Sequence, residues 1–170
     1  QQVKELLEER DAQIKELVGP EGTDYTEEQR QQLKEIINGV IDFEAMAKGA
    51  LAETYDTIST EEQHEFVDLF STIVRDQSLN NLDIYRAEVR YTLIEVQGDS
   101  ARVETLAQLK NVRTPVNYDL EYKNDEWVIT DMEIDDVSTV NSYNRQFQRN
   151  IAQKGFDDLM DRLRKRAERA

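Results

Sequence analysis

The sequence predicts an α+β fold for a single domain covering residues 1–170: four N-terminal helices, a curved four-stranded antiparallel meander, and two C-terminal helices. Apolar residues recur at helical spacing until about residue 83, alternate singly through the next fifty residues, and then return to helical spacing. A chain of 170 residues is long enough for one domain with its own core. Helices and strands that occur in separate blocks favour helices packed on one face of the sheet.

The first four helices are predicted from apolar stripes and from residues that cap helix ends. The first helix covers residues 2–18 and ends at Gly19 and Pro20. The next three begin at side chains that can accept a hydrogen bond from the first turn. These are Thr26 with Gln29, Asp42, and Ser59 with Glu62. After the strands, two further helices are predicted over residues 138–153 and 156–169, with Gly155 as the break.

Four strands are predicted from alternation of apolar and polar residues. The first has apolar positions from Tyr85 to Leu93. Predicted turns at Gly98 and at Asn124 separate strands that are consecutive in the sequence. The apolar positions of all four strands should share one face of the sheet, and the other face should be exposed to solvent.

The composition excludes several classes of function. The formal net charge is −15 and the pI is near 4.5, which argues against nucleic acid as a partner and against non-specific adhesion to anionic membranes. The sequence has no cysteine, so it has neither disulfides nor thiolate metal ligands. Its apolar runs are shorter than the roughly 20 residues of a membrane span.

No residue pattern predicts catalysis. His64 is the single histidine and lies on a polar helix face, so a second imidazole for a metal or base arrangement is lacking. Nucleotide-binding and nucleophile-elbow motifs are absent. Pairs of carboxylates arise by default among 36 acidic residues, which makes a small acidic hydrolase the last of the hypotheses. We expect a non-enzymatic protein without a cofactor or metal.

Aromatic residues are concentrated on the predicted inner surface. Tyrosines occupy inward strand positions, and phenylalanines lie on helices expected to cover them. On periodicity alone this set is either packed core or the wall of an apolar cavity. The basic C-terminal segment "RLRKRAERA" also has two interpretations. Its cations either stabilise the C-terminal end of a helix or contact an anionic headgroup or a partner.

Four segments resemble the MlaC, or toluene-tolerance, family of phospholipid-binding proteins. They are "IDFEAMAKGALAETY" (41–55), "STEEQHEFVDLFSTIV" (59–74), "EWVITDMEIDDVSTVNSYNRQF" (126–147) and "KGFDDLM" (154–160). The resemblance covers nearly the whole chain in the same order. Departures include Ala52 and Asp136, where the family has glycine, and Asn144, where it has arginine.

The resemblance implies a monomeric periplasmic carrier whose signal peptide has been removed. Such a carrier shuttles phospholipid between an outer-membrane lipoprotein complex and an inner-membrane ABC transporter with an MCE-domain subunit, which maintains outer-membrane lipid asymmetry. Acyl chains lie in a cavity between sheet and helices. The predicted lipid-binding wall consists of Phe66, Phe70, Val74, Tyr85, Val89, Tyr91, Leu93, Val103, Val116, Tyr118, Ile129, Tyr143 and Phe147. The alternative is an interaction module of the same fold with a solid core.

Overall fold

A computed structural model describes residues 2–19, 25–79 and 85–169. The predicted α+β class is confirmed; within these residues, four α-helices precede the sheet and two follow it. The helices are α1 (Gln2–Val18), α2 (Glu27–Asn38), α3 (Phe43–Leu51), α4 (Thr60–Gln77), α5 (Thr139–Lys154) and α6 (Phe156–Glu168). A short 3₁₀ helix, Ala52–Thr57, connects α3 to α4.

The sheet is an antiparallel meander of five strands in sequence order, so the prediction of four strands was one too few. The strands are β1 (Glu88–Gln97), β2 (Ser100–Leu109), β3 (Val112–Lys123), β4 (Glu126–Ile134) and β5 (Val137–Ser138). The additional strand has only two residues, too few for alternation to reveal it. Tyr85 was expected in the first strand but lies in a 3₁₀ turn before it.

The predicted helix caps form. Thr26 with Gln29 and Ser59 with Glu62 make complete capping boxes, in which each side chain bonds the backbone of the other. The Asp42 carboxylate accepts a hydrogen bond from the backbone N–H of Ala45 and so starts α3. These caps satisfy N–H groups of the first turn that have no partner within the helix.

A β-bulge moves one predicted wall residue to the opposite face of the sheet. Tyr91 pairs with Thr105, but the pairing then skips Thr92, and Leu93 pairs with Glu104. Leu93 therefore points away from the inner face and is 39% exposed. The prediction that Leu93 belongs to the inner wall was wrong, because strict alternation cannot register an extra residue.

The core consists of separate clusters rather than one layer of helices on the sheet. The sheet cluster consists of Val3, Leu7, Ala87, Ala101, Val103, Ala107, Val116, Tyr118, Leu120 and Ile129. The helix cluster consists of Met46, Ala47, Ala50, Leu51, Tyr55, Phe66, Phe70, Ile73, Tyr143, Phe147, Leu159, Met160 and Leu163. Helix α1 thus covers the sheet, while α3 to α6 bury their apolar stripes mainly against one another. A third, smaller cluster joins α1 to α2.

Candidate functional site

A cavity of about 370 Å³ opens between the helices and β4. Its apolar lining comes from α2, α3, α4 and β4, together with the segment that joins α2 to α3. Apart from the exposed Val137, these apolar residues are Ile37, Ile41, Met46, Val74, Met132 and Ile134. The volume lies within the roughly 300–1,000 Å³ range of ligand pockets in proteins. The cavity therefore lies where the helix and sheet clusters meet without filling the space between them.

Two hydrogen-bonded junctions set the distance between the walls. The backbone N–H of Ile129 donates to the Val40 carbonyl, and the N–H of Asp42 donates to the Ile129 carbonyl, both within 2.8 Å. These bonds attach the segment between α2 and α3 to β4. They hold the helical wall against the sheet on one side of the cavity.

Asp131 makes the second junction, between β4 and α5. Its carboxylate accepts hydrogen bonds from the Ser138 hydroxyl and from the backbone N–H groups of Met132 and Val140, the last at 3.1 Å. Burial raises the pKa of the Asp131 carboxyl, although these hydrogen bonds act in the opposite direction. Ser138 is also the N-cap of α5, because its oxygen accepts a bond from the N–H of Asn141. The junction sets the direction in which α5 leaves the sheet.

Arg10 of α1 is buried and positions two lining residues. Its guanidinium donates from Nε and Nη2 to the Ile37 carbonyl, at 3.2 and 2.8 Å, and Nη2 lies 3.4 Å from the Tyr85 hydroxyl. Ile37 lies in the last turn of α2, where carbonyl groups lack intrahelical partners. Arg10 therefore caps a carbonyl group in the last turn of α2 and holds Tyr85 in place. Both Ile37 and Tyr85 face the cavity.

A second, smaller void of about 20 Å³ lies deeper, along the inner face of the sheet. Tyr85, Met132 and Ile134 line both spaces, and Val89, Val116 and Tyr118 line the smaller one. A volume of this size holds about one water molecule.

The structure divides the predicted wall into residues that face a cavity and residues that do not. Val74, Tyr85 and Tyr143 line the large cavity. Tyr85, Val89, Val116 and Tyr118 line the small one. Val103 and Ile129 are fully buried in the sheet cluster, and Tyr91 packs against its edge.

The helical phenylalanines form packed core. Phe70 contacts the rings of Phe66, Tyr143 and Phe147, with ring centroids 5.8, 5.2 and 6.2 Å away. Phe66 and Phe147 also meet edge to face at 5.7 Å. These distances are those of favourable aromatic pairs. Of the four aromatic residues, Tyr143 reaches the cavity, and the three phenylalanines hold α4 against α5.

Sequence reasoning missed several lining residues. Ile37 and Met46 on the helices, and Met132 and Ile134 on β4, were not among the predicted wall residues. The pairing of β3 with β4 shifts between Leu120 and Asp119, which puts both Ile129 and Met132 on the inner face. The spacing of two between Met132 and Ile134 was an available signal for this part of the wall.

Polar groups line the remainder of the cavity, and they include the buried Asn38, whose amide donates to the Ser78 hydroxyl at 3.1 Å. The Tyr143 hydroxyl donates to Oε1 of Gln77, and Arg166 lies beside the same hydroxyl. Burial raises the pKa of the Tyr143 hydroxyl, and Arg166 opposes that effect. Gln146 is exposed to solvent and Val137 is 50% exposed, so the mouth of the cavity lies at β5, α5 and the C-terminal part of α6. Apolar walls with a polar mouth suit a ligand that has apolar chains and a polar head.

Across the described ranges, no group of three or more histidine, cysteine or acidic residues is arranged to hold a metal ion. Within the same residues, no helix combines the length and apolar character that a bilayer crossing requires. His64, the single histidine, is exposed on α4.

A sequence model of the family described as MlaC protein matches residues 9–165. No curated protein matches the chain. A phospholipid-binding protein from Ralstonia solanacearum, solved in complex with a phospholipid, superposes with a TM-score of 0.78 at 18% identity, over 99% of this chain and 96% of that one. At this identity the likeness shows a shared fold. A structure described as an NTF2-like transpeptidase from Campylobacter jejuni reaches a TM-score of only 0.30 at 16% identity, over 58% of this chain and 94% of that one, and carries no argument.

Proposed function

Because the chain belongs to the MlaC protein family, we propose that it is a periplasmic phospholipid carrier and not an enzyme. The observation that carries the proposal is the cavity of about 370 Å³ between the helix and sheet clusters, with apolar walls and a polar mouth. Acyl chains occupy the apolar part and the headgroup lies at the mouth. The similar protein from Ralstonia solanacearum was solved in complex with a phospholipid, which supports the same ligand class here.

The energetics of acyl burial agree with a carrier. Each CH₂ group removed from water contributes about 0.8 kcal/mol. A protein that takes lipid from a bilayer must therefore enclose most of each chain, which requires a dry cavity rather than a surface groove. Displacement of Tyr85, Met132 and Ile134 would extend the large cavity along the inner face of the sheet, into a void that Asp11 and Lys15 also line.

The partners that we propose are the two membrane complexes implied by the family. The protein would move phospholipid between an outer-membrane lipoprotein complex and an inner-membrane ABC transporter with an MCE-domain subunit, and so maintain outer-membrane lipid asymmetry. A net charge of −15 suits transit between anionic surfaces, because it opposes non-specific adhesion to either one.

Native mass spectrometry of the purified protein tests the proposal. We expect a mass increment equal to one or more phospholipids, and uptake of phospholipid from vesicles by protein from which lipid has been extracted. Protein that is free of lipid and takes none from vesicles would show that the proposal is wrong and would favour a solid-core interaction module.

A matched pair of variants separates binding from folding. Ile134→Asn places an amide in the cavity wall, whereas Ile94→Asn places it at another half-buried inner position of the same sheet. Both should lower stability, because a buried amide without partners is unfavourable. Only Ile134→Asn should lower lipid occupancy. Equal loss of lipid in the two folded variants would contradict the assignment of the cavity.

A further inference from the structure

Among the described residues that line the large cavity, Arg166 is the charged one. It lies near the C-terminal end of α6, is half-buried, and approaches the Tyr143 hydroxyl. No carboxylate pairs with it anywhere in the described ranges. A half-buried guanidinium without an anionic partner carries a desolvation cost that an anion would offset.

The neighbouring arginines of α6 show that this arrangement is not general. Arg162 donates to the carboxylate of Asp158 at 2.8 Å. Arg164 bonds Glu65 at 2.7 Å and Asp161 at 2.9 Å. Arg166 differs from both because it lines the cavity. The described residues that line the cavity include this cation and no acid.

Neutral hydrogen-bonding groups lie on the same side of the cavity. Ser142 and Gln146 are four residues apart on α5 and therefore share one helix face. Neither side chain makes a hydrogen bond to another residue of the described chain. A hydroxyl and an amide can both donate to an anionic oxygen.

We infer that Arg166 binds the phosphate group of the lipid at the cavity mouth, with Ser142 and Gln146 as additional donors. The inference rests on the proposed function, because the acyl chains must occupy the apolar part for the phosphate to reach α6. A guanidinium bonds two phosphate oxygens at once through its planar fork, so arginine suits this role better than a flexible lysine. The group recognised is common to all phospholipids, and the inference therefore assigns the phosphate and not a particular headgroup.

The test compares Arg166→Gln with Arg162→Gln, which removes the same charge from the same helix outside the cavity. Affinities are measured for dihexanoylphosphatidylcholine and for dihexanoylglycerol, which has the same chains but no phosphate. Arg166→Gln should weaken phosphatidylcholine binding about 10-fold, the effect of one charge-assisted hydrogen bond. It should leave dihexanoylglycerol binding unchanged, and Arg162→Gln should affect neither ligand. Thermal unfolding of each variant verifies that the fold is intact.

Each other outcome has a distinct meaning. If Arg166→Gln binds phosphatidylcholine as the wild type does, or weakens both ligands equally, the role of Arg166 in phosphate binding is overturned while the carrier function stands. If the wild type binds neither ligand, the proposed function itself fails. Inorganic phosphate should not displace phosphatidylcholine at comparable concentration. Displacement at that concentration would indicate a site for free phosphate and overturn the headgroup assignment.

Discussion

Replacement of Phe70 by alanine should destabilise the protein far more than replacement of Val74, although the two residues lie one turn apart on α4. Phe70 is 1% exposed and contacts three other aromatic rings within the helix cluster. Removal of such a side chain costs about 3–5 kcal/mol. Val74 is half-buried and faces the cavity. Loss of its two methyl groups there should cost about 1 kcal/mol.

Urea unfolding measures the loss of unfolding free energy in each variant. An unchanged dependence of that free energy on urea concentration verifies that each variant unfolds as the wild type does. In thermal unfolding, about 1 kcal/mol corresponds to about 2–4 °C for a protein of this size. Added phospholipid then distinguishes the two positions by their function. Bound lipid should stabilise Val74→Ala less than the wild type, because lipid contacts are lost, and should stabilise Phe70→Ala as much as the wild type. Equal costs at the two positions would refute the division of the predicted wall into core and cavity.

Three further predictions concern the backbone, the sheet and the helix interface. Ala52 has φ 53° and ψ −129°, a conformation favourable only for glycine, so Ala52→Gly should raise the free energy of unfolding by about 1 kcal/mol in urea titrations. The pKa of Glu133 is lowered by hydrogen bonds from Arg102, so this carboxylate stabilises the fold above its unfolded pKa, near 4.5. Unfolding measured against pH should therefore show that the advantage of wild type over Glu133→Gln disappears as pH falls through the lower, folded pKa; an advantage that persists there would contradict the argument. A Cβ on Gly49 would lie 2.7 Å from a methyl group of Val140, so Gly49→Ala should destabilise, and adding Val140→Ala should restore stability.

The fold was predictable where one local rule decides the structure. Capping boxes at Thr26 and Ser59 combine a donor and an acceptor that are three residues apart, so sequence spacing alone reveals them. Gly155 was also predictable, because glycine readily adopts a positive φ, here 88°, at the C-terminal end of a helix such as α5. Leu93 was misplaced because a bulge depends on the pairing of two strands, which no single strand encodes.

The candidate site was predictable only in part, for a physical reason. A residue in a packed core and a residue in a cavity wall have the same polarity and the same periodicity. Phe70 and Val74 both belong to the apolar stripe of α4, and only the position of α5 and β4 decides which one faces empty space. Arg166 could not be distinguished from its neighbours in "RLRKRAERA", because its position at the cavity depends on how α6 packs in the folded protein.

The division of the core explains how a cavity can persist without collapse. A void inside a single packed layer is unfavourable, and neighbouring side chains move to fill it. Here the helix cluster and the sheet cluster each bury their own large side chains, including Phe66 and Leu120. Neither cluster needs side chains in the space between them to be packed. The bonds between Ile129 and the segment that joins α2 to α3, and the bond from the N–H of Val140 to Asp131, then fix the distance between the walls. In the carrier that we propose, lipid would enter and leave while both clusters remain intact, so that cargo is released without unfolding.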